Sequence, residues 1–297
     1  MIIAIDGGTT NTRLTLMDGG KIIKKYKLNV GARDKSLAEA VRGGLAEVMC
    51  PAVTRIAASG MITSDAGLFS LPHIAAPAGI DELRAGAVTI SMPEISELPI
   101  TFVPGVKVVE NGETMDIMRG EETELMGILA RLSLQSCTFI LPGSHMKKVT
   151  VESGKIVDFS TSISGELSRA AAEHTILSRS LGDAFPRIPD LAWLARGRDT
   201  LNACGSLNAA LFKLRVIATS HAEISPDALY AFLLGIVLSD DVNSLPKSHA
   251  PIFVGGSNPM RAAYLALIAD AGFDARELPE ELAENAAALG IWEIFSR

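Results

Sequence analysis

Apolar residues in the first half of the chain form short runs and helix-spaced patterns that alternate along the sequence. Short apolar runs between turn residues are typical of buried strands, and apolar positions three or four residues apart are typical of helices. Ser36 precedes one helical pattern and is expected to cap it. The pattern predicts strands at 1–5, 14–17, 55–58 and 100–103, and helices at 37–49 and 120–130.

The second half repeats this alternation. A strand at 138–141 leads into a glycine-containing turn, and an alternating strand leads out of it. Ser225 and Pro226 form a strong helix start, with serine at the N-cap and proline at the first helical position. The remaining elements are expected as a strand at 251–254 and helices at 258–272 and 284–295.

Strands that alternate with helices in this way predict an α/β fold with mixed sheets flanked by helices. We expect two lobes, an N-terminal one at 1–132 and a C-terminal one at 133–297. The last helix could pack back on the N-terminal lobe.

The turn between the first two strands has the sequence DGGTTNTR at 6–13. Glycine lets the backbone approach a ligand, and successive N–H groups and hydroxyls can wrap a phosphate. Asp6 could hold Mg²⁺ against nucleotide phosphates, mostly through water. Because the glycines join two strands, the turn differs from a P-loop and resembles the phosphate-binding hairpin of actin, the sugar kinases and the heat-shock ATPases. A hairpin without a ligand is the alternative.

A second hairpin with the same pattern lies far along the chain. Residues 143–151 (GSHMKKVTV) align with residues 8–16 (GTTNTRLTL), and each copy is followed by another glycine-containing turn. Two related hairpins predict two similar half-domains that each offer one loop to a shared cleft, as in that superfamily. A chance similarity between two glycine-bearing hairpins is the alternative.

Glycines also occur between the predicted strand at 251–254 and the helix that follows it, where residues 255–257 are GGS. Such a junction lets a ligand approach the backbone, and a helix N-terminus favours negative charge. The superfamily uses a Gly-Gly loop at this place to contact adenosine. A tight turn without a ligand explains the motif equally well when it is taken alone.

Composition narrows the class of protein. The chain has 297 residues, and no apolar run reaches the roughly 18–20 residues of a transmembrane helix. Three cysteines without paired spacing argue against a disulfide framework or a zinc site. A net charge of −7 is unfavourable for binding nucleic acid or an anionic membrane. We expect a cytoplasmic enzyme with small-molecule partners, and the sequence leaves a homo-oligomer open.

Two adjacent carboxylates, Glu121 and Glu122, begin the predicted helix at 120–130, directly after Arg119. Phosphoryl transfer to a sugar hydroxyl needs one carboxylate that orients the hydroxyl and accepts its proton. The positive end of the helix dipole favours the ionised form of such a group. Acidic residues are also common in a first helical turn simply because they offset the dipole.

Three stretches carry a more specific pattern: MRGEETEL at 118–125, LPGSHMK at 141–147 and SGEL at 164–167. Together they resemble the signature sequences of the 2-dehydro-3-deoxygalactonokinase family, and the similarity extends over nearly the whole chain. The resemblance implies a two-lobed actin-like (ribonuclease H-like) ATPase fold. It also implies ATP-dependent phosphorylation of 2-dehydro-3-deoxy-D-galactonate at its 6-hydroxyl, with Mg²⁺, in galactonate catabolism.

At the general base, this chain departs from the pattern of the wider superfamily. Many sugar kinases of the superfamily carry a catalytic aspartate at the second hairpin, where this chain has LPGS at 141–144. In the sugar kinases related to bacterial glucokinase, an aspartate ahead of the second hairpin has this role, and Glu121 occupies a comparable place. We expect Glu121 to be the base, with Glu122 as the alternative.

The other roles follow from charge and position. Asp6 is expected to position Mg²⁺, and Arg13 could contact phosphate or form a structural salt bridge. The acceptor carries carboxylate and keto groups, which call for cations and amide donors, although Ser59, His145 and Glu166 also have structural explanations. The residues expected at the nucleotide are Asp6, Gly7, Gly8, Thr9, Thr10, Arg13, Gly143, Ser144, Gly255, Gly256 and Ser257, and those expected at the sugar acid are Ser59, Arg119, His145, Lys147 and Glu166.

Two other functions stay open. A kinase of the same superfamily could act on another sugar or sugar acid, including the gluconate-derived epimer, because no motif reads that stereocentre. A nucleotide-dependent switch or filament protein would turn over ATP without an acceptor. Such proteins usually have further subdomains, for which 297 residues leave little room.

Overall fold

The computed structural model describes residues 1–246 and 250–296, which form two compact units. The first unit consists of Met1–Ser136, Val151–Phe159 and Glu280–Arg297, and the second of Cys137–Thr150 and Ser160–Pro279. Within the described residues, no helix is both long and apolar enough to cross a membrane.

Strands and helices alternate along both units. The strands are β1 (Ile2–Gly7), β2 (Thr12–Asp18), β3 (Lys21–Leu28), β4 (Arg55–Gly60), β5 (Ile74–Ala75), β6 (Val88–Ile90), β7 (Ile100–Phe102), β8 (Val106–Glu110), β9 (Glu113–Met118), β10 (Cys137–Leu141), β11 (Met146–Glu152), β12 (Lys155–Ser162), β13 (Ile252–Val254) and β14 (Ala275–Glu277). The helices are α1 (Leu37–Val48), α2 (Ile80–Gly86), α3 (Glu121–Leu132), α4 (Ser164–His174), α5 (Ser178–Leu181), α6 (Leu191–Cys204), α7 (Leu207–Ser220), α8 (Pro226–Asn243), α9 (Met260–Asp270) and α10 (Glu280–Phe295).

A six-stranded sheet in the order β3-β2-β1-β4-β7-β6 forms the centre of the first unit. β1, β2 and β3 run antiparallel through two hairpins, whereas β4 and β7 run parallel to β1. Strand β1 is apolar on both faces because helices cover both. Ile3 and Ile5 belong to the cluster that includes α1, and Ile2 and Ala4 belong to the cluster that includes α10.

Strands β10, β13 and β14 of the second unit belong to a five-stranded sheet in the order β12-β11-β10-β13-β14, in which β13 runs parallel to both β10 and β14. This order matches β3-β2-β1-β4-β7 strand for strand. The internal repeat predicted from the two hairpins is therefore confirmed, as is the predicted α/β fold with mixed sheets flanked by helices. Helix α8 is buried along most of its length, because α4, α6, α7 and α9 all pack against it.

Local signals located about half of the strands and helices, and the ends of several differ from the predictions. The Ser225 hydroxyl accepts a hydrogen bond from the N–H of Ala228, so the predicted cap of α8 is confirmed. The predicted capping by Ser36 is wrong, because its hydroxyl donates to the side chain of Asp34 at 2.8 Å. Helix α10 begins four residues earlier than predicted, at Glu280, where two glutamates occupy the positive end of the helix.

Helices α3 and α10 cross at a point where Gly290 has no room for a side chain. A Cβ atom at Gly290 would lie 1.8 Å from the carbonyl oxygen of Thr123. Since α3 begins with Glu121, this crossing also fixes the helix that carries the candidate base.

We predict that Gly290→Ala destabilises the protein by about 1–3 kcal/mol or more, because the methyl group must separate two packed helices. Gly43→Ala is the matched control: Gly43 lies in α1 with open space around its Cβ position. That substitution should stabilise by roughly 0.5–1 kcal/mol through helix propensity. Thermal and urea unfolding of both variants measure the effects. Equal stability of the two variants would contradict the close helix crossing.

Candidate active site

The turn between β1 and β2 presents exposed polar groups on a backbone that is held in place. The N–H of Gly8 donates to the carbonyl of Asn11 at 2.9 Å, which closes the turn. Thr9 and Thr10 are exposed at its tip. Amides and hydroxyls on such a fixed turn are suited to a phosphate group.

Asp6, near the end of β1, forms an ion pair with Arg13 on β2. The distance from Oδ2 of Asp6 to Nη1 of Arg13 is 3.1 Å. Burial raises the pKa of Asp6, and the positive charge of Arg13 opposes this rise. Arg13 therefore forms the structural salt bridge that was one of its two expected roles. Its side chain is still 54% exposed, so it can also contact a ligand.

The ends of β1 and β4 and the start of α3 meet without intervening side chains. In the sheet Asp6 lies opposite Ser59 and Gly7 lies opposite Gly60. Gly60 and Gly120 have φ values of 86° and 115°, which disfavour other residues. A Cβ atom at Gly120 would lie only 3.2 Å from the Cα of Gly60. This contact places the first turn of α3 beside the carboxyl ends of the central strands.

Glu121 is the first residue of α3, and its side chain is half-buried. Its Oε2 atom accepts a hydrogen bond from the backbone N–H of Arg119 at 3.1 Å. The carboxylate is therefore oriented by the backbone that precedes the helix while remaining accessible. An ionised group here also benefits from the positive end of the helix dipole.

Glu122, the alternative base, is completely buried. Its Oε1 and Oε2 atoms accept from the N–H of Gly120 at 3.0 and 2.8 Å, and Oε1 also accepts from the hydroxyl of Thr123 at 3.1 Å. Burial, assisted by the negative charge of Glu121, raises the pKa of Glu122 to about 8. These contacts lock the turn before α3, so the two adjacent carboxylates have different surroundings.

Glu124 is a further carboxylate of this region that the sequence interpretation did not single out. It lines a cavity of about 600 Å³ in the first unit together with Asp6, Arg13 and Thr15. Burial, together with the negative charges of Asp6 and Glu121, raises the pKa of Glu124 to about 8. The sequence did contain a signal for Glu124, because Glu121 and Glu124 are three residues apart and therefore share one face of the helix.

Arg119 points its guanidinium at protein acceptors. Nη1 donates to the carbonyl and the hydroxyl of Thr63 at 2.7 and 2.6 Å, and Nη2 donates to the carbonyl of Leu71 at 2.7 Å. Nη2 also lies 3.3 Å from Nδ1 of His73, whose pKa is lowered to about 4 by burial and by the charge of Arg119. Arg119 thus connects the segment after β4 to the start of α3. No local sequence pattern marks Thr63 or His73 as its partners.

Two more residues expected at the sugar acid are buried. Ser59 is fully buried, and its hydroxyl has no hydrogen-bond partner within the described part of the chain. Lys147 is 9% exposed, and its ammonium donates to the hydroxyl of Thr161 at 2.7 Å. Neither side chain offers a surface to a ligand in this structure.

In the second unit, the turn between β10 and β11 is exposed at Gly143, Ser144 and His145. Nε2 of His145 lies 3.1 Å from Oε2 of Glu166 at the start of α4. Two of the residues expected at the sugar acid are therefore brought together, and both side chains remain accessible.

The Gly255–Ser257 loop of the second unit lies against this turn. The N–H of Gly255 donates to the carbonyl of Ile140 at 2.9 Å. Gly256 has a φ of 73°, and a Cβ atom there would lie 2.9 Å from the carbonyl oxygen of Pro142. The two glycine-containing loops predicted to contact nucleotide are thus neighbours, and Gly256 and Ser257 are exposed.

The described residues contain no cluster of three or more histidine, cysteine or acidic side chains arranged to hold a metal ion. A bound Mg²⁺ would then depend on one or two carboxylates, on water and on the phosphates of a ligand, which is the usual arrangement for this ion.

The chain is similar over most of its length to a known family of proteins. A family model described as 2-keto-3-deoxy-galactonokinase matches residues 6–294. DgoK1 of Rhizobium meliloti (strain 1021), named as a probable 2-dehydro-3-deoxygalactonokinase, is 28% identical over 98% of this chain and 97% of its own. The 2-dehydro-3-deoxygalactonokinase of Escherichia coli (strain K12) is 28% identical over 86% of this chain and 85% of its own.

A solved structure shows the same fold. The crystal structure of a candidate 2-dehydro-3-deoxygalactonokinase from Sinorhizobium meliloti superposes with a TM-score of 0.82 at 25% sequence identity. The match covers 99% of this chain and 98% of that one, so the likeness extends over both units.

We predict that Glu122→Gln changes how stability depends on pH. A carboxyl group whose pKa rises on folding, here from 4.5 to about 8, binds its proton more tightly in the folded state. The free energy of unfolding therefore falls as the pH rises through this interval. Glutamine does not titrate, so the variant avoids that loss of stability. The difference between the melting temperatures of variant and wild type should therefore shift in favour of the variant as the pH is raised from 5 to about 8. A difference in melting temperature that does not vary with pH would contradict the assignment.

Proposed function

Because the chain belongs to the 2-keto-3-deoxy-galactonokinase family, we propose that it transfers the terminal phosphoryl group of ATP to the 6-hydroxyl of 2-dehydro-3-deoxy-D-galactonate. The products are ADP and 2-dehydro-3-deoxy-6-phosphogalactonate. The names of the two relatives support this acceptor. The observation that carries the mechanism is the accessible, oriented carboxylate of Glu121 at the start of α3.

We assign the general base to Glu121. One carboxylate oxygen is held by the N–H of Arg119, and we assign the other, Oε1, to the substrate hydroxyl. As the hydroxyl oxygen attacks the terminal phosphorus, the carboxylate accepts its proton. Orientation before the reaction lowers the entropic part of the barrier, because the base does not have to find its geometry during the step.

Glu122 and Arg119 support this base. Glu122 is buried and binds the N–H of Gly120 through both oxygens, which fixes the turn that precedes the helix. Arg119 binds Thr63 and Leu71 with its guanidinium while its amide holds Glu121. We therefore assign Arg119 to positioning Glu121 and leave direct contact with the acceptor to other groups.

Asp6 is the residue that we assign to Mg²⁺, with Glu124 beside it on the same cavity wall. Carboxylate oxygens fit this hard cation. Burial raises the pKa values of Asp6 and Glu124, and a positive charge bound beside them would lower both again. When bound, the ion neutralises negative charge on the phosphates and favours their transfer.

We assign nucleotide binding to exposed backbone turns. In the first unit these are Gly8, Thr9 and Thr10, with Arg13 available for a phosphate charge. In the second unit the turns at 143–144 and 255–257 lie against each other, which supports a common ligand. Glycine and hydroxyl residues at both turns are suited to phosphate and to close contact with adenosine.

His145 is the residue that we assign to the carboxylate end of the acceptor. Its side chain is exposed, and Glu166 at 3.1 Å orients the ring. The burial of Ser59 and Lys147 and the contacts of Arg119 support a structural role for those three residues.

We predict that Glu121→Gln lowers kcat with ATP and 2-dehydro-3-deoxy-D-galactonate by roughly 10²–10⁴-fold while ATP still binds. Glu122→Gln is the comparison at the adjacent position: glutamine keeps one oxygen that can accept from the N–H of Gly120, so kcat should fall much less than in Glu121→Gln. A coupled assay of ADP release measures turnover, with the gluconate-derived epimer in parallel, and calorimetry measures ATP binding.

Retained activity in Glu121→Gln together with lost activity in Glu122→Gln would reverse the assignment of the base. If the wild type turned over neither epimer but bound ATP, the proposed acceptor would be wrong. ATP turnover that ignores both acids would instead support a nucleotide-dependent switch.

A further inference from the structure

Buried side chains form a hydrogen-bonded chain inside the second unit. Oη of Tyr264 donates to Oδ2 of Asp241 at 2.5 Å, and the hydroxyl of Ser164 donates to the same oxygen. The hydroxyl of Ser162 lies 2.6 Å from that of Ser164. This hydrogen-bonded network is largely shielded from water, because the exposed fraction is 0% for Tyr264, 8% for Asp241 and 5% for Ser164.

The direction of these hydrogen bonds follows from the carboxylate. A carboxylate oxygen accepts hydrogen bonds, so the hydroxyls of Tyr264 and Ser164 both act as donors to Asp241. Ser162 must then donate to Ser164. Burying a carboxylate costs more stability than burying an apolar side chain of similar size, and the hydroxyls offset that cost. A single orientation of Ser164 is therefore strongly favoured.

Ser164 is the first residue of α4, and the next two residues contact the second glycine turn. A Cβ atom at Gly165 would lie 1.9 Å from the carbonyl oxygen of Gly143, so the two backbones touch. The N–H of Glu166 donates to the carbonyl of Ser144 at 2.9 Å. The exposed turn thus rests on the first turn of α4.

We propose that Asp241, through Ser164, is a positioning residue for nucleotide binding, and that Tyr264 fixes Asp241 in this role. The network holds the start of α4, and α4 holds the turn at Gly143 and Ser144 in the shape that meets phosphate. The inference rests on the proposed function in taking this turn as a phosphate-binding loop. An unsupported turn would have to be ordered on binding, which would weaken the affinity for nucleotide.

Two small truncations test the network. Tyr264→Phe and Ser164→Ala each remove one hydroxyl, and each should raise the dissociation constant of a non-hydrolysable Mg-ATP analogue by about threefold to tenfold, the worth of about one hydrogen bond. The KM for ATP should rise in parallel, and the KM for the sugar acid should rise as well, because His145 follows Ser144 on the same turn and its partner Glu166 lies in the same first turn of α4.

Tyr230→Phe is the matched control. Tyr230 is another buried tyrosine of the same hydrophobic core, and its ring packs against Phe185 with centroids 5.6 Å apart. Its substitution removes the same atom and should leave nucleotide affinity unchanged. At Asp241, asparagine retains an acceptor oxygen, so Asp241→Asn should bind the analogue better than Asp241→Ala.

Calorimetry well below the melting temperature of every variant separates the outcomes. Unchanged analogue affinity in folded Tyr264→Phe and Ser164→Ala, with only a lower melting temperature, would overturn this inference and leave the proposed function standing. A wild type that does not bind the analogue would contradict both.

Discussion

The candidate site depends on the contact between the backbones at Gly7, Gly60 and Gly120. A Cβ atom at Gly60 would lie 2.7 Å from the carbonyl oxygen of Gly7, and Gly120 packs on Gly60 in turn. The ends of β1 and β4 and the start of α3 therefore meet backbone to backbone. As a result, a carboxylate at the end of β1, Asp6, and one at the start of α3, Glu121, belong to the same region of the first unit.

Polar networks then orient the loops that these contacts bring together. In the first unit, the guanidinium of Arg119 binds carbonyls after β4 while its amide holds Glu121. In the second unit, Gly165 touches Gly143, and a buried carboxylate fixes the residue that precedes Gly165. The two units therefore share the order of their strands and also the way in which their loops are held. In each unit a glycine allows two backbones to touch, and a nearby hydrogen-bonded side chain orients the loop.

The sequence predicted the elements whose causes are local. Both hairpins, the glycine loop after β13 and the cap at Ser225 depend on residues that are neighbours in the chain, and the repeat followed from comparing them. Glu121 and Glu122 could not be separated, because only tertiary packing decides which side of α3 faces the core. The contacts of Arg119 were equally hidden, since its acceptors are backbone carbonyls 48 and 56 residues away.

Phosphorylation of a sugar acid on its primary hydroxyl is the central claim, and ³¹P NMR of the products tests it most directly. With ATP, Mg²⁺ and 2-dehydro-3-deoxy-D-galactonate, a phosphomonoester signal split into a triplet by the two protons on C6 should appear together with ADP. A doublet would place the phosphate on a secondary hydroxyl, and inorganic phosphate without any new ester would mean that water is the acceptor. Either result would contradict the function proposed here.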